Sequence, residues 1–278
     1  MSQRILNIAH RGARSLAPEN TLAAARKALK LGADLWEFDV QMTRDGELIL
    51  MHDDTLSQTT NAEEVFPDGW PWSVTDFTLE QIRRLDAGSW FVRTDPFGEI
   101  TAGHVSKSQQ RNYIGEPIPP LWEALQFTQA HNWRANIEIK QVSASTPSLA
   151  ERRSAELLRK LVDLVVKLDM EEDVIVSSFD HLLIWEIKEL NPKLTGAVLV
   201  LEPLLDPLGH LETIGADAYH PSLLAFDPEV ARKLCQAGYS VNIWTVNDPK
   251  MMKALVNEPG ITGIFTDYPQ RLEPILGP

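Results

Sequence analysis

Eight short, mostly apolar runs recur along this chain, at residues 5–9, 35–40, 136–139, 174–177, 196–200, 218–220, 240–244 and 263–266. Amphipathic stretches fill most of the gaps between them. Runs of this length read as strands buried on both faces, and strands alternating with helices imply a parallel sheet. Eight such units predict a closed (β/α)8 TIM barrel. An open doubly wound sheet is the alternative, and the lack of a glycine-rich dinucleotide fingerprint after the first run counts against it. Helix boundaries are marked by Asn20 as the N-cap of 21–31, by Asp180 before 182–190, and by Asp227-Pro228. Gly32 and Gly238 stand where helix ends favour a left-handed residue. The run 149–168 places Leu157, Leu158, Leu161, Leu164 and Val165 on one face of a long helix.

One segment breaks the alternation. Thr43-Arg44-Asp45-Gly46 reads as a hairpin turn returning through 47–51, the Asp-Gly step supplying positive φ. Beyond it, residues from about 53 to 119 are rich in Gly, Pro, Thr, Asp and Trp. So long a bare loop is rare in a compact domain, so an insertion with short elements of its own is expected, within one domain spanning 1–278. It would stand over the carboxyl ends of the strands, where barrel active sites lie. Phe66, Trp70, Trp72 and Phe77 either line an apolar channel there or hold the insertion down.

With 44% hydrophobic residues in 278, the chain has ample material for a core. A net charge of −13 and a pI near 5.0 argue against nucleic acid and anionic membrane surfaces as partners. The single Cys235 rules out an internal disulfide framework and matches a reducing compartment. Lying in the helical stretch 228–237, it is expected to be a buried structural thiol. No apolar run approaches a membrane span and the first is too short for a signal segment. The expected location is cytoplasmic, without stable membrane insertion; oligomeric state is not legible.

Glu37 and Asp39 occupy positions i and i+2 of a strand, so both carboxylates point to one face. Two buried like charges keep one proton unless a cation separates them, and a hard divalent metal meets that need. Glu138 and Lys140 form a second i/i+2 pair, readable as an ion pair or as further members of the same site. In a barrel, His10 and Arg11 after the first strand, Glu37 and Asp39 on the second, His52 after the hairpin return and Glu138 and Lys140 on the third rim one mouth. Three carboxylates without cysteine favour Mg2+ or Ca2+ over zinc. Two histidines suit an acid and a base, and Arg11 and Lys140 suit a phosphate anion. The sum is the chemistry of phosphodiester cleavage.

The runs Ala9-His10-Arg11-Gly12, Pro18-Glu19-Asn20-Thr21, Glu37-Phe38-Asp39-Val40, Thr43-Arg44-Asp45-Gly46 and His52-Asp53 resemble the glycerophosphodiester phosphodiesterase family. Leu85-Asp86-Ala87-Gly88-Ser89-Trp90-Phe91, Ile118-Pro119-Pro120-Leu121, Glu138-Ile139-Lys140, Trp244-Thr245-Val246-Asn247 and Thr266-Asp267-Tyr268-Pro269 extend the likeness over almost the whole chain. The resemblance implies a (β/α)8 barrel with a small insertion after the second strand. It also implies hydrolysis of small-molecule glycerophosphodiesters to an alcohol and sn-glycerol 3-phosphate. Carried over, Glu37, Asp39 and Glu138 hold one divalent cation, Mg2+ or Ca2+ with Mn2+ also admissible. His10 and His52 form the acid–base pair, Arg11 contacts the phosphate and Lys140 assists.

The remaining matches carry weaker roles. Glu19 is read as orienting Arg11 or His10, Asn20 as a helix cap or a direct participant, and Asp267 as orienting a loop. Trp244 lines the substrate pocket or belongs to the core, and His220 is structural. His104, His131, His181 and His210 have no partner pattern and read as surface or capping residues. Residues 93–116 are longer and more polar than a minimal family member needs. The acidic balance favours choline or ethanolamine headgroups. The choice of base, and of water or the glycerol 2-hydroxyl as nucleophile, stays open. So do two other readings: a lysophospholipase D-type phosphodiesterase on the same barrel, and a non-catalytic phosphodiester-binding protein.

Overall fold

The computed structural model describes residues 4–140 and 146–277. Its strands are β1 (Leu6–Ala9), β2 (Leu35–Met42), β3 (Leu48–Leu50), β4 (Arg134–Ile139), β5 (Val174–Ser178), β6 (Thr195–Val200), β7 (Ala218–Pro221), β8 (Ser240–Ile243) and β9 (Gly263–Thr266). Among the described residues, all but β3 run parallel, in the order β1-β9-β8-β7-β6-β5-β4-β2. Pairing of β1 with both β9 and β2, Ile8 opposite Phe265 and Leu35, closes the ring into the expected TIM barrel. The antiparallel β3 lies outside the ring on β2, Val40 opposite Leu50, and this ladder carries β2 two residues past the predicted end at 40.

The helices are α1 (Leu22–Lys30), four short ones in the insertion, α2 (Ala62–Val65), α3 (Leu79–Ile82), α4 (Ser89–Thr94) and α5 (Lys107–Tyr113), then α6 (Leu121–Ala130) and α7 (Pro147–Lys167). After these come α8 (His181–Leu190), α9 (Pro207–Ile214), α10 (Pro228–Gln236), α11 (Pro249–Val256) and α12 (Pro269–Leu276). The outward faces of the strands, among them Trp36, Phe38, Ile137, Val176 and Val198, pack on Leu157, Leu158, Leu161 and Val165 of α7 and on neighbouring helices. Burying side chains of this size stabilises by about 1.5–3 kcal/mol each. None of the described helices is long and apolar enough to cross a membrane.

The inward face changes character along the barrel. Ile8, Leu35, Ile175, Ala197, Ala218 and Phe265 form an apolar floor. Two positions further along the same segments stand His10, Glu37, Ser177, Leu199, His220 and Asp267. Residues two apart on a strand share a face, so the pleat itself lifts polar groups above the floor towards the carboxyl-terminal mouth.

Two local expectations are corrected and one pair of alternatives is decided. Asn20 does not cap α1: the Thr21 hydroxyl accepts from Ala24 N at 3.2 Å, and the helix begins at Leu22. Two capping side chains stand next to each other there, and the threonine takes the role while Asn20 adopts a left-handed φ of 54°. Cys235 is exposed rather than buried, because Ala231 and Leu234 form the buried stripe of α10 and the next residue turns about 100° away. Of the two readings of the insertion aromatics, Phe66, Trp72 and Phe77 follow the one that holds the insertion down. The two phenylalanine rings lie 5.0 Å apart and pack with Trp72 against Ile49, Leu56, Ile82 and Ile118, fastening the insertion to the hairpin, while Trp70 is exposed. Residues 93–116 are tied down at two points: Tyr113 Oη donates to Leu16 O at 2.9 Å and Arg271 Nη2 to Glu99 Oε1 at 2.9 Å.

Candidate active site

Past β1 the chain turns sharply, Arg11 and Gly12 taking φ values of 52° and 77°. A Cβ on Gly12 would stand 2.6 Å from Ala24 Cβ, so α1 can approach this closely only over a glycine. The turn directs Arg11 N–H to Glu37 Oε2 at 2.7 Å. It also sends the guanidinium between Glu19 Oε1, at 2.8 Å from Nη1, and Asp39 Oδ2, at 3.3 Å from Nε. Glu19 accepts from Arg14 as well, so it touches Arg11 and not His10. Burial works against the charge of Arg11, and Asp39, Glu19 and Glu37 together hold its pKa above the usual value.

Register places Asp39 of β2 opposite Glu138 of β4. Glu37, Asp39 and Glu138 each offer a carboxylate oxygen within 4.8 Å of the other two, and all three residues are buried. Burial, with Asp39 and Glu138 close by, pushes the Glu37 carboxyl well above its usual range. Asp39 shares the burial but goes the other way, held low by Lys140 and Arg11. Burial and Asp39 also raise Glu138. Lys140 Nζ sits 2.9 Å from Asp39 Oδ1 and pairs with Glu138 Oε1; despite burial, these carboxylates raise its pKa to about 12. Asn20 clamps Asp39 from behind, Nδ2 donating to Oδ2 at 2.8 Å while Asn20 Oδ1 accepts from Asp39 N at 3.1 Å. Glu37 Oε1 is buried without a hydrogen-bond partner. Three clustered carboxylates, one of them with an oxygen lacking any donor, match the donor set of a hard divalent cation.

Both histidines are backed by a carboxylate. His10 Nδ1 lies 2.7 Å from Asp267 Oδ1, and His52 Nδ1 lies 2.7 Å from Asp53 Oδ1. A ring that donates from Nδ1 to a carboxylate keeps Nε2 as its working nitrogen. His10 Nε2 is 4.0 Å from Glu37 Oε2. Burial lowers the His10 pKa, although Asp267 pulls it upwards. Asp267 is itself gripped by Asn247, which donates from Nδ2 to Oδ2 at 2.7 Å and accepts the Asp267 N–H at 3.0 Å. Burial opposes its charge, yet the His10 hydrogen bond and nearby cations depress its pKa to about 2. The hydrogen bond from His52 lowers Asp53 too.

Part of this constellation opens onto a cavity of about 230 Å3. Its lining takes His10, Arg11, Glu37, His52, Glu138 and Lys140, the polar Asn136, Ser177 and Thr245, and the apolar Phe179, Leu199, Trp244 and Phe265. Thr59 and Ala87 of the insertion border the neighbouring recess behind His52 and Glu19. Residues 10–271 match the family model described as the glycerophosphoryl diester phosphodiesterase family.

The chain belongs to that family. It is 34% identical over 269 residues to the glycerophosphodiester phosphodiesterase of Caldanaerobacter subterraneus, covering 97% of this chain and 96% of that one. With the glycerophosphodiester phosphodiesterase of Bacillus subtilis it shares 34% identity over 272 residues, 96% of this chain and 84% of the relative. A phosphodiesterase from Oleispira antarctica, solved with the product sn-glycerol-3-phosphate, matches with a TM-score of 0.79 and 28% identity over 98% of this chain and 96% of that one.

The structure of this phosphodiesterase adds residues that the sequence reading left aside or cast differently. Asp267 holds a histidine rather than a loop, and Asn20 holds a carboxylate. Asp53 and Phe179 carried no expectation, although the adjacency of His52 and Asp53 is visible in the sequence. His220, expected to be structural, is fully buried in the barrel beside Asn242, Nε2 to Nδ2 at 2.9 Å, and burial drives its pKa down to about 3. The Trp244 indole N–H donates to His220 O at 2.7 Å, which fixes the ring along the cavity wall. His104 pairs with Glu99 and His131 with Phe127 O. His181 and His210, expected to be unconnected, meet at 2.7 Å, Nδ1 to Nε2, with His181 Nε2 2.9 Å from Leu199 O.

Proposed function

We propose that this phosphodiesterase hydrolyses glycerophosphodiesters to an alcohol and sn-glycerol 3-phosphate, with His10 and His52 as the acid–base pair. One divalent cation, Mg2+ or Ca2+ with Mn2+ also accepted, would be held by Glu37, Asp39 and Glu138. The observation that carries the reading is the pair of histidine–carboxylate couples on the wall of a cavity that also presents the carboxylate cluster. A phosphodiester-binding protein has no need of two such proton carriers. The product held by the Oleispira antarctica relative supports the same substrate class.

When bound, the cation lends positive charge to the non-bridging phosphate oxygens. Arg11, fixed by Glu19, and Lys140 add cationic charge to the cavity lining. One histidine Nε2 takes the proton of the nucleophile while the other returns a proton to the departing alcohol oxygen. Asp267 and Asp53 keep each ring in the working tautomer. The reading treats residues 1–278 as one domain, because the insertion at about 53–119 borders the recess beside His52 and Glu19. It also sets the enzyme in cytoplasmic lipid and glycerol metabolism, acting on a small molecule.

The test is release of glycerol 3-phosphate from glycerophosphocholine, with EDTA and after re-addition of Mg2+, Ca2+ or Mn2+. Release that EDTA stops and a cation restores is expected. No release with any of the three cations would sink the reading and leave a binding protein.

A further inference from the structure

The loop between β1 and α1 is stitched to the segment that follows β9. Arg14 N donates to Gly12 O at 2.9 Å, Ser15 N to Asp267 O at 3.2 Å, and Gln270 Nε2 to Ser15 Oγ at 3.1 Å. With the loop so held, the Arg14 guanidinium stands between two carboxylates that serve different parts of the site. Its Nη2 donates to Glu19 Oε2, and its Nη1 lies 3.6 Å from Asp267 Oδ1. The other oxygen of Glu19 accepts from Arg11, and Asp267 Oδ1 faces His10. The result is a row of alternating charge that runs from Asp39 through Arg11, Glu19, Arg14 and Asp267 to His10. Arg14 is the one cation in the middle of that row, and it does not itself line the cavity.

The insertion covers the guanidinium. Arg14 Cζ stands 5.3 Å from the centre of the Phe97 ring, close enough for a cation–π contact. The same ring meets Tyr268, the residue after Asp267, edge-on with centroids 5.9 Å apart at 89°. An ion pair kept for stability alone is expected to satisfy the donors it buries. Arg14 does not: its Nε is buried without a hydrogen-bond partner, and Nη1 stops short of hydrogen-bond distance from Asp267. What the placement achieves instead is a planar, permanently charged fork within reach of both carboxylates. A lysine ammonium, a point charge, could serve only one of them at a time.

We propose that Arg14 is a positioning residue that couples the Arg11 phosphate clamp to the His10 proton carrier, and that Phe97 lets the insertion hold it there. This rests on the reading of Arg11 and His10 given above. Groups in one charged network shift together, so the clamp and the imidazole come into line as a unit rather than separately.

The experiment is a triple-mutant cycle on kcat/KM for glycerophosphocholine with a divalent cation present. Glu19→Gln, Asp267→Asn and their double variant are measured in the wild-type background and again with Arg14→Gln. In the wild-type background the double variant should lose less than the product of the two single losses, by about threefold or more, and with Arg14→Gln the losses should multiply. Arg14→Gln alone should lower kcat and raise KM together, by roughly tenfold in kcat/KM, less than the cost of a fully displaced catalytic group. Phe97→Leu, which keeps an apolar cover without the ring face, should move both constants in the same directions by less. Should Arg14→Gln not fold, Arg14→Lys carries the cycle, and the coupling should shrink because one ammonium serves one carboxylate.

Single losses that multiply in the wild-type background overturn the coupling. So does Arg14→Gln with a lowered melting temperature and unchanged kcat and KM, which makes Arg14 a structural ion pair. Either result leaves the phosphodiesterase reading standing. A wild-type protein that releases no glycerol 3-phosphate removes that reading, and the coupling with it.

Discussion

His10 and Asp267 are 257 positions apart in the chain and 2.7 Å apart in space, Nδ1 against Oδ1. The contact exists because β1 and β9 are neighbours in the ring, Ala9 opposite Thr266, so the residues that follow each strand emerge side by side. Asn247 and Arg14 complete the surroundings of the carboxylate.

Replacing Asp267 by Asn should leave the barrel folded; with the amide oxygen kept for the Asn247 donor, the amide N–H turns to His10 Nδ1 and selects the other tautomer. The expected loss is roughly a hundredfold in kcat with little change in KM, the scale of one general acid–base contribution. Steady-state kinetics on glycerophosphocholine decide it, and a change confined to KM would place Asp267 outside the proton path.

Glu37→Gln removes one of three clustered carboxylates while keeping an acceptor for Arg11 N–H. Since burial and its neighbours already push Glu37 towards the protonated form, the variant should be at least as stable as wild type in EDTA. Wild-type protein should gain about 2.7 kcal/mol at a cation concentration a hundred times its dissociation constant. Thermal melts with and without Ca2+ or Mg2+ measure both effects. An undiminished cation shift in the variant rules Glu37 out as a ligand.

Lys140→Met leaves Asp39 and Glu138 buried without the ammonium that bridges them. Removing one partner of a buried ion pair costs on the order of 3 kcal/mol, because the remaining charge is uncompensated. Urea unfolding in EDTA should register that loss, and a saturating divalent cation should recover most of it. A variant as stable as wild type in EDTA would mean that Arg11 alone balances the cluster.

His220 predicts a pH signature in stability rather than in catalysis. Its folded pKa, about 3, lies below the ordinary 6.5, so between those values the unfolded chain holds a proton that the folded chain refuses. Stability therefore falls as pH drops through that window, by about 1.4 kcal/mol per unit and about 2 kcal/mol between pH 6.5 and 5. His220→Gln, which can still accept from Asn242, should flatten this slope in urea titrations at the two pH values. Parallel slopes would exonerate the histidine.

The strands were legible because both faces of a parallel barrel are buried, which writes each as an apolar run. The convergence of Glu37, Asp39 and Glu138 was legible for a related reason: a period of two fixes which residues share a face before any partner is known. Contacts that cross the ring were not. Nothing near Asp267 announces a histidine, and nothing near His181 announces His210, because those meetings depend on strand order and helix packing. Asn20 misled because Thr21 beside it caps equally well. The aromatics of the insertion admitted two readings, channel or fastening, because their spacing does not say what they pack against.

The ring order also sets a timetable. The first strand made is completed by the last, so a chain on the ribosome carries His10 from the outset but has no Asp267 to steady it. Hydrolysis should therefore begin only once β9 has emerged and paired with β1, whatever lipid fragments surround the growing chain.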